Sequence, residues 1–292
     1  MQIFKLTISL IFLFITFPAE SAEFSLDQKK PETIILSGII EAGDADKYLG
    51  LQKNGAKHSP ADSSISNGPF PVLILDSLGG SVSESIKIAK IVNALYVDVK
   101  VSPNKVCGSS CFLIFLAGSN RFASGSELMS AKKQKEVYAV LKNAANKSGQ
   151  KNYHPPELPG FVGLHRPSIP NMTSLENNQG KVMREMSLYL EKQLLPKRLI
   201  DLMMGRPSND VYWMTTADLA EIGQYPVNQE EFYIQKCGYI KNAEEKIANS
   251  TDRTEQAKFY KSMTDSMPCI INLTSTQRDV NFKKIKGGWN PY

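Results

Sequence analysis

The sequence predicts an α/β fold with buried, largely parallel strands, and three observations predict it. A short continuous apolar run, residues 71–76, and a second strand segment, residues 96–101, are bounded by turn residues. Between them residues 82–95 carry Ile86, Ala89 and Val92 at helical spacing. A further apolar segment, residues 112–117, follows a second Gly/Ser turn. Strands that are apolar throughout have no face left for water, so alternation of such strands with helices indicates a sheet covered on both sides.

Taken in order, the chain opens with Lys5 ahead of an almost wholly apolar stretch at residues 6–17. Pro18 then leads into Ala19, Ser21 and Ala22. This is the layout of a secretory signal peptide at residues 1–22, with cleavage near Ser21 or Ala22. The apolar run is shorter than the roughly 20 residues that a membrane-spanning helix needs. A periplasmic or secreted protein is therefore expected, in an oxidising compartment where disulfides persist.

Residues 33–40, rich in β-branched and aliphatic side chains, form the first strong strand, and 44–52 the first helix. Residues 58–68 are a polar loop. Strand 71–76 runs into the turn Ser77-Leu78-Gly79-Gly80, and Ser81 with Glu84 fits a capping box for helix 82–95. Residues 126–160 are polar, basic and Pro/Asn-rich, an excursion from the core with helical spacing at 131–147. The core resumes at 161–165 and is followed by helical runs at 185–193 and 196–204. Residues 23–229 are read as one domain and 230–292 as a C-terminal extension expected to be helical.

Composition narrows the function classes. The 292 residues carry 34 Lys+Arg against 29 Asp+Glu, a net charge of +5, with 42% hydrophobic and 22% charged residues. Those fractions exclude a disordered or fibrous chain. The small positive excess is not gathered into a stripe, so no nucleic-acid partner is expected. Lys283, Lys284 and Lys286 read as a solvated end.

Three places combine turn chemistry with reactive groups. Gly79-Gly80 at a strand exit allows a backbone amide to face a ligand, although double-glycine turns also occur as plain turns. Cys107-Gly108-Ser109-Ser110-Cys111 places two serines on a strand-to-helix turn, where serine serves either as a nucleophile beside helix amides or as an N-cap. Val162-Gly163-Leu164-His165-Arg166-Pro167 ends an apolar strand on a histidine. Of the three histidines, His58 lies in a polar loop and His154 in the excursion, which leaves His165 as the candidate base.

Together these segments resemble the ClpP/crotonase superfamily, and more closely its serine protease branch. The resemblance rests on Ile-Leu-Asp-Ser-Leu-Gly-Gly, Ser-Ser-Cys-Phe-Leu-Ile-Phe-Leu-Ala-Gly and Val-Gly-Leu-His-Arg-Pro in that order, within about residues 34–223. It implies a fold of repeated ββα units, Ser109 as nucleophile, His165 as general base, and the Gly80 and Ser110 amides as the oxyanion hole. Counting back from Gly223 reaches Val211, and a one-residue slip assigns the orienting acid to Asp210.

The chain departs from the family in its long excursion and in Cys111, where the family has glycine. Cys107 and Cys111, four apart, are either a disulfide that pins the nucleophile turn or two buried thiols, and export favours the disulfide. Cys237 and Cys269 form a second candidate pair. No metal site and no cofactor are expected.

The leading function is an ATP-independent serine peptidase-like hydrolase acting on a peptide or protein. No ATP-driven unfoldase partner is expected outside the cytoplasm, and the family's habit of assembly implies a homo-oligomer. The alternative is a catalytically inactive fold that serves as an envelope binding or scaffold protein. A crotonase-like thioester enzyme ranks third, since coenzyme A is not expected outside the cytoplasm.

Overall fold

The computed structural model describes residues 21–55, 71–123, 161–166, 176–206, 210–241, 246–247 and 250–292. Residues 1–20 of the signal peptide expected at 1–22, His58, His154 and the excursion at 126–160 lie outside the described residues. Two sheets and eight helices make up the described part, a mixed α/β architecture.

The larger sheet has strand order β1-β2-β3-β4-β6, from β1 (Glu23–Asp27), β2 (Lys30–Ser37), β3 (Val72–Asp76), β4 (Asp98–Val101) and β6 (Arg121–Ala123). Pairs β2/β3, β3/β4 and β4/β6 are parallel, whereas β1 pairs antiparallel with β2. In the parallel strands Ile34, Leu36, Leu73, Leu75, Val99 and Val101 are buried, which accounts for the apolar run of β3 and for the alternate valines of β4. β1 is half-exposed and polar at alternate positions, so its sequence gives little strand signal.

Helix α1 (Asp44–Asn54) and helix α2 (Val82–Ala94) connect these strands. Ser81 caps α2, its Oγ accepting the Glu84 N–H at 3.3 Å. The reciprocal half of the expected capping box is absent. Glu84 instead accepts the Ala45 N–H at 3.1 Å and pairs with Lys87 at 2.6 Å, so its carboxylate closes the first turn of α1. A buried carboxylate gains more from an open helix amide than from the Ser81 N–H, which already donates to Ile40 O.

The smaller sheet, β5 (Val106–Gly108), β7 (Phe161–Leu164) and β8 (Tyr212–Trp213), is parallel at β5/β7 and antiparallel at β7/β8. A bridge from Ser77 to Cys107 joins its β5 edge to the exit of β3. Helix α3 (Cys111–Leu116) is apolar all round and buried at every position, the signature of a helix inside the core. At its C-terminal end Arg121, itself buried, donates to the carbonyls of Leu116, Ile222 and Tyr225. Burial pushes the guanidinium down to about 10 against the pull of Tyr189 and Glu230.

Helices α4 (Glu176–Lys192), α5 (Lys197–Gly205) and α6 (Thr216–Ile222) complete the core. A full capping box does occur, at α6, between Thr215 and Asp218. Helix α7 (Val227–Cys237) runs through the junction drawn at residue 229, and α8 (Arg253–Lys286) carries most of the extension. No helix among the described residues is long and apolar enough to cross a membrane.

Candidate functional site

The three segments singled out in the sequence meet at one end of the smaller sheet. Register sets this, because Gly108 pairs with Gly163 in the parallel β5/β7 ladder, and Leu164 pairs with Tyr212 in β7/β8. The residue after β5, Ser109, thus lies beside the end of β7, where His165 follows. The start of β8, preceded by Asp210 and Val211, reaches the same end from the opposite direction.

Ser109 adopts φ 54, the left-handed region that side chains with a Cβ resist at a cost of about 1–2 kcal/mol. Its N–H donates to Gly163 O at 3.1 Å, and its own carbonyl receives the Phe112 N–H in the first turn of α3. The disulfide Cys107–Cys111 spans this residue, with both cysteines fully buried. A second disulfide joins Cys237 on α7 to Cys269 on α8. All four thiols are consumed, so none is available as a metal ligand or thiolate nucleophile.

The Ser77–Gly80 turn is sutured to the Ser109 turn. Ser77 N–H donates to Val106 O at 2.7 Å, Gly108 N–H to Ser77 O at 2.9 Å, and Ser77 Oγ to Gly38 O at 2.6 Å. Gly79 and Gly80 have φ 97 and 147. A Cβ on Gly79 would stand 2.7 Å from Ser109 Cβ and 2.9 Å from Ser110 N, and one on Gly80 would stand 2.2 Å from Ile40 O. Only glycine fits at both positions.

The Gly80 and Ser110 N–H groups donate to no acceptor among the described residues. Open amides beside a hydroxyl-bearing turn are the donors that an oxyanion requires. Ser110 itself is buried, and its Oγ also lacks a partner among the described residues.

His165 and Asp210 are both half-buried, Asp210 at the chain entry to β8. Their side chains do not form a linked triad with Ser109. His165 Nδ1 lies 2.7 Å from Arg166 O, and Asp210 accepts from Arg206 Nη1 at 2.9 Å, four residues earlier. No hydrogen bond joins Ser109 Oγ to His165. Because a carbonyl only accepts, the ring nitrogen facing Arg166 O carries the proton, leaving Nε2 as the basic nitrogen.

Asp218, a fully buried acid six residues after Tyr212, is committed elsewhere. Burial by itself would raise its carboxyl, but hydrogen bonds from Arg198, the Thr215 amide and hydroxyl, and Tyr212 hold it below the usual value.

Two contributors were quoted in the motifs without a role, Ser77 as the suture and Gly163 as the carbonyl that anchors Ser109. Their signal lay in position alone, since the Ser77 hydroxyl is spent on the Gly38 carbonyl and Gly163 has no side chain. No protein-family model matches this chain, and no curated protein matches it in sequence.

Proposed function

We propose that the chain is a serine hydrolase of the ClpP/crotonase type, acting by acyl transfer on a peptide or protein without ATP. The observation that carries this reading is Ser109, held in a left-handed turn against two glycines with the Gly80 and Ser110 amides open beside it. Strain at a single residue persists where surrounding contacts over-determine it, and such residues cluster at reactive sites.

In this reading Ser109 Oγ attacks a substrate carbonyl while His165 Nε2 takes its proton. The oxygen becomes an anion between the two amides, and His165 returns the proton to the leaving amine. Water then repeats the sequence in reverse to free the acid. The Nδ1 proton that an acid ordinarily orients is held here by the Arg166 carbonyl. In this reading the imidazole reorients on substrate binding so that Nε2 meets the nucleophile. Export through a signal peptide and self-assembly belong to the same proposal.

The separation of His165 from Ser109 favours a second reading, an inactive fold retained for binding. A serine-directed fluorophosphonate distinguishes the two. Covalent labelling of the full chain that disappears in Ser109→Ala and in His165→Ala supports the hydrolase. Absence of labelling, or equal labelling of Ser109→Ala, overturns it in favour of the binding role.

A further inference from the structure

A groove of about 470 Å³ opens where the ends of α2 and α4 meet α7 and α8, and it shares no residue with the Ser109 site. That volume lies within the range of small-molecule sites. Its lining is unusual in kind. Asn93, Gln193, Asn228, Gln229 and Gln277 give it five carboxamides, each presenting an acceptor oxygen and a two-hydrogen donor side by side.

Part of this set is already fixed. Gln229 Oε1 accepts from Ser119 Oγ at 3.2 Å and from Tyr233 OH at 3.4 Å, which leaves its Nε2 as a positioned donor. The side chains of Asn93, Gln193 and Asn228 have no hydrogen-bond partner among the described residues. Aromatic surface accompanies them. Phe232 is 43% exposed, and Tyr96 lines the same wall with φ 50. Left-handed backbone at a bulky aromatic residue costs about 1–2 kcal/mol and needs support. Arg278 Nη2 supplies it by donating to Tyr96 O at 3.1 Å, and Tyr96 N–H donates to Asn93 O at 3.2 Å.

The chemistry of the lining selects its ligand. Lys192 is the one charged lining residue, so a polyanion finds too few cations and a metal ion finds no carboxylate. An apolar ligand would leave the carboxamides desolvated and unpaired, at about 1–3 kcal/mol each. An extended peptide takes a sheet edge or an apolar side-chain pocket, and helices wall this groove. A sugar satisfies both components, since vicinal hydroxyls donate and accept like carboxamides, and the C–H face of a pyranose covers an exposed ring.

We propose that this groove binds a short neutral oligosaccharide, with the carboxamides pairing its hydroxyls and Phe232 stacking on a sugar face. The test uses the full chain with N-acetylchitotriose and maltotriose, read by saturation-transfer NMR. Transfer to ring protons of at least one sugar is expected, with affinity at least tenfold weaker in Phe232→Ala and in Asn228→Ala. Both residues are exposed, and unchanged denaturant midpoints verify that the variants fold. Ser109→Ala binds like the wild type, which separates this site from the proposed hydrolase. No transfer from either sugar, unchanged affinity in both groove variants, or displacement of the sugar by tetra-alanine overturns the proposal.

Discussion

The two disulfides differ eightfold in the length of chain they close, four residues against 32, and this makes them separable by experiment. Loop-closure entropy assigns about 2 kcal/mol to a ring as small as Cys107–Cys111 and about 4 kcal/mol to one as large as Cys237–Cys269. Activity should rank them in the opposite order. The smaller ring encloses Ser109 at φ 54, a conformation about 1–2 kcal/mol above the ordinary regions. Released from the crosslink, the turn relaxes by that amount, and the population with Ser109 correctly presented falls by roughly 5- to 30-fold.

The double variant Cys107→Ala/Cys111→Ala should therefore slow fluorophosphonate labelling by that factor, with a modest loss in urea midpoint. Cys237→Ala/Cys269→Ala should lose more stability and label at the wild-type rate, measured well below its midpoint. Labelling that declines equally in both variants, or further in the second, would refute the argument that the small ring holds the turn.

Three other predictions follow from the same geometry. Gly79→Ala places a methyl group against Ser109 Cβ and Ser110 N, so labelling should be nearly abolished while the chain loses about 1–3 kcal/mol of stability, read by denaturant titration. Asp210→Asn should change the labelling rate by less than tenfold, because Arg206 rather than His165 holds that carboxylate; a loss near the 10⁴-fold of an acid-dependent triad would return the orienting role to Asp210. Burial pushes the Asp98 carboxyl up to about 6, against the opposing pull of Arg278 and Lys100. The folded state therefore holds a proton that the unfolded state releases from about pH 4. Wild-type stability should fall relative to Asp98→Asn as pH rises from about 4 to about 6 and level off above, and parallel stability curves for the two proteins would show the assignment to be wrong.

Much of this architecture was legible because it depends on long apolar runs and turn chemistry. Strands β2, β3 and β4, helices α2 and α3, and both cysteine pairs answer to local sequence. β6 and β8, three and two residues long, are too short to show alternation, and they exist because β4 and β7 offer them edges. The glycine turn and the two serines were readable for the same local reason.

Side-chain direction was not legible. Asp210 sits four residues after Arg206, and an ion pair at that spacing competes with His165 in a way that a motif does not display. Glu84 is a comparable case. Its sequence context fits a capping box, while the amide it serves belongs to a helix 39 residues earlier. The groove between α2, α4, α7 and α8 left no trace at all, since its carboxamides come from four separate parts of the chain.

The end of α2 carries an implication for the order in which the chain matures during synthesis. Arg278 donates to the carbonyls of Leu95 and Tyr96, and Asn281 to that of Ala94, from residues 182 to 187 positions downstream. A helix normally closes with a glycine or a side chain from its own vicinity. Here the carbonyls of Ile91, Val92 and Asn93 are met locally by the Leu95, Val97 and Tyr96 amides, while those of Ala94, Leu95 and Tyr96 wait for α8 to emerge. A nascent chain cut before residue 278 retains every strand among the described residues and leaves the Ala94, Leu95 and Tyr96 carbonyls without these donors. The extension thus acts as a completion signal, tying the finished state of an early-made helix to the arrival of the last helix among the described residues.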